Sequence, residues 1–198
     1  MKSLVLVGED ALCCALGECL VEQALQGWTL AIAPINTRGV SKLKAALPRY
    51  AQQAHHVQPV LCIADTDGAC PVTLLQQWLP SAATPKLLLR LAVSEAEVWA
   101  MADRAAFASA FGVSVAAVPR DPESLQDAKR EVLALAARSS KRRIREEVPS
   151  LQDPTKPGTG YNEYLCGFVR KSWRASVAQE QSDSLRRAIR ALHHLQRT

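Results

Sequence analysis

Long hydrophobic runs are missing from this 198-residue sequence. No stretch reaches the roughly 20 consecutive apolar residues that a membrane-spanning helix requires, so no membrane partner is expected. The run Leu4–Val7 is too short for a signal peptide and is followed by Glu9 and Asp10, so it reads as a first strand. Metal-ligand cysteine spacing is missing too. Cys13, Cys14, Cys19, Cys62, Cys70 and Cys166 contain no Cys-x-x-Cys unit, which argues against a zinc site. They read as free thiols in a reducing, cytoplasmic compartment. A phosphate loop is absent, because Gly158-Thr159-Gly160 lacks the Walker spacing and the Lys-Ser/Thr ending. The histidines of His55-His56 and His193-His194 are adjacent, and neighbours on a helix diverge by about 100°, so neither pair reads as a chelate. Aromatics are scarce, with four Trp, three Tyr and three Phe. A stacking platform for single-stranded nucleic acid therefore has little beyond Tyr161, Tyr164 and Trp173.

What is present is an apolar content of 48%, enough for a substantial core in one domain. Four short apolar runs, 4–7, 28–33, 59–64 and 86–93, fit strands buried on both faces. Helical stripes separate them: Leu12, Ala15, Leu16, Cys19, Leu20 and Ala24, then Leu43, Ala46, Leu47 and Tyr50, then Leu74, Leu75 and Trp78. After Val93 every segment reads as helix, with Asp103 capping one and Asp121-Pro122-Glu123 opening another that runs to about Arg138. The expected fold is α/β, a doubly wound and mainly parallel sheet of about four strands over residues 1–93. An all-helical half, residues 94–198, packs on it as an extension of the same domain.

In open α/β sheets ligands collect outside the carboxyl ends of the strands. Glu9 follows the first strand there, and Asp65-Thr66-Asp67-Gly68 follows the third. Alternate residues of an extended chain point the same way, so Asp65 and Asp67 are expected to face one point. Carboxylate oxygens suit Mg²⁺ or Mn²⁺, with substrate phosphates and water completing the shell. Glu9, Asp65 and Asp67 are thus the candidate metal ligands. The alternative is an Asx turn with no ligand. The net charge of +5 is compatible with an anionic partner. Lys141, Arg142, Arg143 and Arg145 form the candidate contact to a DNA or RNA backbone, or else a solvated face paired with Glu146 and Glu147.

Glu9 after the first strand and Asp65-x-Asp67 after a later one resemble the Toprim pattern over about residues 3–93. Here Gly8 precedes Glu9, whereas Toprim domains usually place Gly after Glu. The second half resembles an uncharacterised bacterial family related to Toprim. That likeness rests on Glu95-Ala96-Glu97-Val98-Trp99, Asp103, Phe107, Phe111-Gly112-Val113, Asp127-Ala128-Lys129, Gly160-Tyr161-Asn162, Trp173 and 182–187. Ser94 stands where that family often has Arg. The resemblance implies Mg²⁺-dependent phosphodiester cleavage, with Glu95, Glu97 and Lys129 joining Glu9, Asp65 and Asp67 as catalytic residues. It also implies an ATPase partner and a part in phage defence. The competing expectation is a catalytically inactive binding or assembly subunit. On a helix, Glu95 and Glu97 share no face, so they converge only if the segment begins extended.

Overall fold

A computed structural model describes residues 2–197. Five parallel strands form its sheet: β1 (Lys2–Gly8), β2 (Trp28–Leu30), β3 (Ile35–Asn36), β4 (Val60–Asp65) and β5 (Leu87–Ala92). The apolar run 28–33 forms a strand only over its first half, β2, and β3 lies just beyond its end. β2 pairs with Lys2–Leu4 of β1, and β3 pairs farther along with Val7 and Gly8. The spatial order is therefore β2 and β3 on one flank, then β1, β4 and β5.

The strands are buried on both sides because their alternate residues feed two cores. Leu4, Leu6, Leu61, Ile63, Leu88 and Ala92 face one core, and Val5, Val7, Val60, Cys62, Ala64, Leu89 and Leu91 face the other. α2 (Val40–His56) and α3 (Pro71–Trp78) cover the second face through Leu43, Leu47, Tyr50, Leu74 and Leu75. α1 (Ala11–Ala24) covers the first. It lies close to the sheet: a Cβ on Gly17 would sit 2.4 Å from a methyl of Leu6. Helices on both faces make the sheet doubly wound.

The chain after β5 is helical and enlarges the first core. It comprises α4 (Ala96–Ala102), α5 (Arg104–Phe111), α6 (Ala128–Ala137), α7 (Arg142–Glu147), α8 (Tyr161–Ser172), α9 (Ala175–Ala178) and α10 (Asp183–Arg197). The helix expected to open at Asp121 forms only a 3-10 turn at Pro122–Ser124. α6 starts later, where the Asp127 carboxylate accepts the Arg130 N–H at 2.7 Å. α8 packs on α1, and α10 packs against β5. Trp99, fully buried, links these layers: its Nε1 donates to Ser184 Oγ at 2.8 Å, and its carbonyl accepts Trp173 Nε1 at 2.8 Å. Among the described residues no helix is long and apolar enough to cross a membrane.

Candidate functional site

The sheet reverses direction of winding between β1 and β4. α1 carries the chain from β1 to the β2 flank, and α2 returns it past β1 to β4. Crevices form at such reversals, outside the carboxyl ends of the two strands. Both acidic segments lie there. Glu9 N–H donates to the Ile63 carbonyl at 2.9 Å, and Glu9 Oε2 accepts the Asp65 N–H at 3.1 Å. The two residues are joined across the strand gap. Gly8 before Glu9 has a steric reason: a Cβ there would lie 2.7 Å from the Cys14 nitrogen and 2.6 Å from its Sγ. The tight turn into α1 thus needs glycine at this position, with the carboxylate one residue later. Asp10 accepts the Cys13 N–H at 2.8 Å and caps α1.

Asp65 is buried, and Asp67 is exposed. The extended geometry that would point both side chains one way is broken at Asp67. Asp67 has a φ of 48° and Gly68 a φ of 76°, so the chain turns at once after Thr66. This turn is fastened to the one after β5. Asp67 N–H donates to the Ser94 carbonyl at 2.9 Å, and Ser94 N–H donates to Thr66 Oγ1 at 2.8 Å. Ser94, itself at a φ of 62°, donates its hydroxyl to the Leu125 carbonyl at 3.0 Å. It therefore acts as a buried joint and not as a charged contact.

Glu95 and Glu97 do converge, and the reason is local. Glu95 has φ −144° and ψ 156°, which is extended backbone, and α4 begins only at Ala96. Lys129 Nζ then lies 3.8 Å from an oxygen of each. The Lys129 N–H also donates to Glu95 Oε2 at 2.7 Å. Glu97 is almost fully buried and accepts the Tyr161 hydroxyl at 2.7 Å. Tyr161 is the functional neighbour that sequence reasoning missed. The sequence offers it for stacking and within the Gly160-Tyr161-Asn162 resemblance, and nothing in the spacing between 97 and 161 signals the contact.

The electrostatics follow from crowding acids in a poorly solvated space. Burial, then the carboxylates of Glu97, Asp10 and Glu9, push the Asp65 carboxyl up to about 9, while Lys129 opposes them. Glu9 is also raised, first by burial and then by Asp67 and Asp10, against the Asp65 and Val40 N–H groups that favour its charge. Glu97 is raised by burial, partly offset by Lys129 and Tyr161. Burial pulls Lys129 down, but Glu97, Glu95, Asp65 and Asp10 outweigh it and hold the ammonium above its ordinary value. Cys13 lies against this cluster, its Sγ 3.9 Å from Asp65 Oδ1, and burial with Asp65 holds the thiol well up.

No known family, curated protein or solved structure matches the chain. The site's donors are carboxylate oxygens, the type that Mg²⁺ and Mn²⁺ take. Among the described residues, no group of three or more His, Cys, Asp or Glu side chains converges to hold a metal ion. A site for a hard cation here would use few protein ligands and leave the remaining positions to substrate phosphate and water, as Mg²⁺ sites commonly do.

The basic segment lies on α7 and is largely engaged in the fold. Lys141 Nζ donates to the Ser109 and Ala110 carbonyls at 2.8 and 2.7 Å, closing the end of α5. Arg145 donates to the Ser139 carbonyl, and Arg142 pairs with Glu146 at 2.8 Å. Arg143 is exposed and lies near Tyr164. Of the four, Arg143 is the one whose charge no hydrogen bond or ion pair among the described residues occupies.

Proposed function

We propose that the chain is a Toprim-like protein that cleaves phosphodiester bonds in DNA or RNA with Mg²⁺ or Mn²⁺. One observation carries this reading: at the strand reversal Asp65 is buried, and the carboxylates of Glu97, Asp10 and Glu9 crowd it with too little positive charge to balance them, so that its carboxyl rises to about 9. Such crowding costs folding energy and is relieved by a bound cation, which is why strongly perturbed acids in a crevice point to function. Glu9 and Asp65 would hold the ion, with substrate phosphate and water taking the remaining positions. A bound divalent ion there supplies phosphoryl polarisation and an acidified water. Lys129, kept protonated between Glu95 and Glu97, would face the phosphate charge. Tyr161 and Glu97 fix its position. By the resemblance to ATPase-associated nucleases, an ATPase partner and a role in phage defence belong to the same reading.

A second reading, a non-catalytic assembly subunit, is favoured by the lack of a three-donor group among the described residues and by the exposed Asp67 on its left-handed turn. Calorimetric titration of Mg²⁺ and Mn²⁺ separates the two, with and without a short oligonucleotide. The nuclease reading expects binding by the wild type that the Asp65→Ala/Asp67→Ala variant loses. Heat of binding absent from the wild type under both conditions would sink it.

A further inference from the structure

We propose that the open edge of β5 is a docking groove for an extended, carboxylate-bearing peptide segment of a partner protein. β5 is the terminal strand of the sheet and pairs only with β4 among the described residues. The phase of that pairing is fixed, since Val60 N–H donates to the Lys86 carbonyl and Thr66 N–H to that of Ala92. In a parallel pair alternate residues turn both backbone groups toward the neighbour. Leu88, Arg90 and Ala92 therefore turn theirs to β4, and Leu89 and Leu91 turn theirs outward. The ends of this outer edge are closed. Leu87 N–H is held by the Thr84 carbonyl at 2.9 Å, and Val93 N–H by Ser184 Oγ at 3.4 Å. Between them Leu89 and Leu91 present a short unpaired strand edge, the template that an added strand uses.

A cavity of about 310 Å³ runs along this edge, walled by Pro71, Val72 and Leu75 of α3 on one side and by the start of α10 on the other. Its charges identify the occupant. Glu123 accepts from the Ser184 N–H and hydroxyl and from Ser182 Oγ. Asp183 pairs with Arg186 and Arg187. Arg90 has no such partner among the described residues: its Nε is buried without a hydrogen bond, the residue as a whole is half-buried, and burial lowers the guanidinium below its ordinary value. A buried N–H of a guanidinium left without an acceptor is costly, and a carboxylate satisfies it together with a neighbouring N–H in a bidentate pair. A second copy of this chain fits poorly, because symmetric pairing of two β5 edges about Leu89–Leu91 sets one Arg90 opposite another, and like charges directly opposite destabilise a pair.

The test is a titration of the full-length, isotopically labelled chain with a blocked heptapeptide of alternating valine and threonine around one central glutamate. Saturable shifts and slowed exchange at the Leu89 and Leu91 amides are expected. Affinity should fall by about tenfold or more for Arg90→Gln, the loss of one charge-assisted bond, and equally when the peptide glutamate is replaced by glutamine, a control that leaves the protein unaltered. Undisturbed Leu89 and Leu91 amides up to millimolar peptide, or equal affinity for the two peptides, would overturn the proposal. So would a sedimenting dimer that protects the same amides without peptide, since it assigns the edge to a second copy.

Discussion

Asp65 shows how one side chain joins the stability of the molecule to its chemistry. Its folded pKa of about 9 lies far above the ordinary aspartate value, so between these pH values the folded state keeps a proton that the unfolded state releases. Stability contributed by this group is therefore greatest at low pH and declines as pH rises toward 9. Asp65→Asn removes the ionisation and should raise Tm at pH 8 more than at pH 5, by about 3 °C for each kcal/mol relieved in a chain of this size. Thermal melts across that range check it. An equal Tm change at both pH values would mean that Asp65 is not held protonated by its neighbours. The same substitution removes a proposed metal ligand, so the stabilised protein should lose Mn²⁺ affinity, a trade of stability against function.

Among the elements, α4 and α5 carry the most specific fastening. Asp103 is fully buried, caps α5 through the Ala106 N–H at 3.3 Å, and takes three bonds from Arg174 at the start of α9. Asp103→Ala should lower stability by about 1 kcal/mol from the lost cap alone, with a further loss from freeing the Arg174 end. Chemical denaturation and amide exchange of α5 and α9 would measure it. A change confined to α5 would show that the Arg174 link contributes nothing. The cap at Asp103 was legible in the sequence because capping is local, whereas its ion pair was not, because 71 residues separate the partners. α7 makes the same point in reverse. Its basic run suggested a nucleic-acid contact, yet Lys141 and Arg145 satisfy carbonyls at the ends of neighbouring turns.

For the whole molecule, the first core is continuous from Leu4 and Leu6 of β1 to Leu192 and Leu195 of α10. α1 is covered by α8, and the same face of the sheet by α4 and α10. A fragment of residues 1–93 leaves that face uncovered and should not fold cooperatively, while the full chain should melt in one transition. Circular dichroism melts of both decide this. A stable, cooperative 1–93 fragment would mean that the helical half is a separate domain and not part of the same core.

The sequence by itself determined the α/β class, the parallel strands and the placement of Glu9 and Asp65 at their carboxyl ends. Those features follow from periodicity and from turn chemistry, which act between near neighbours. The tertiary structure alone decided the rest. It ended the second run's strand at Leu30 and added β3 beyond the run, placed Asp67 on an exposed left-handed turn, and brought Glu95, Glu97, Lys129 and Tyr161 into one network. It also left Arg90 Nε without a partner among the described residues at the sheet edge. Each of these depends on groups tens of residues apart meeting in a low-dielectric interior, where burial and charge set the energies, and no local pattern along the chain encodes that meeting.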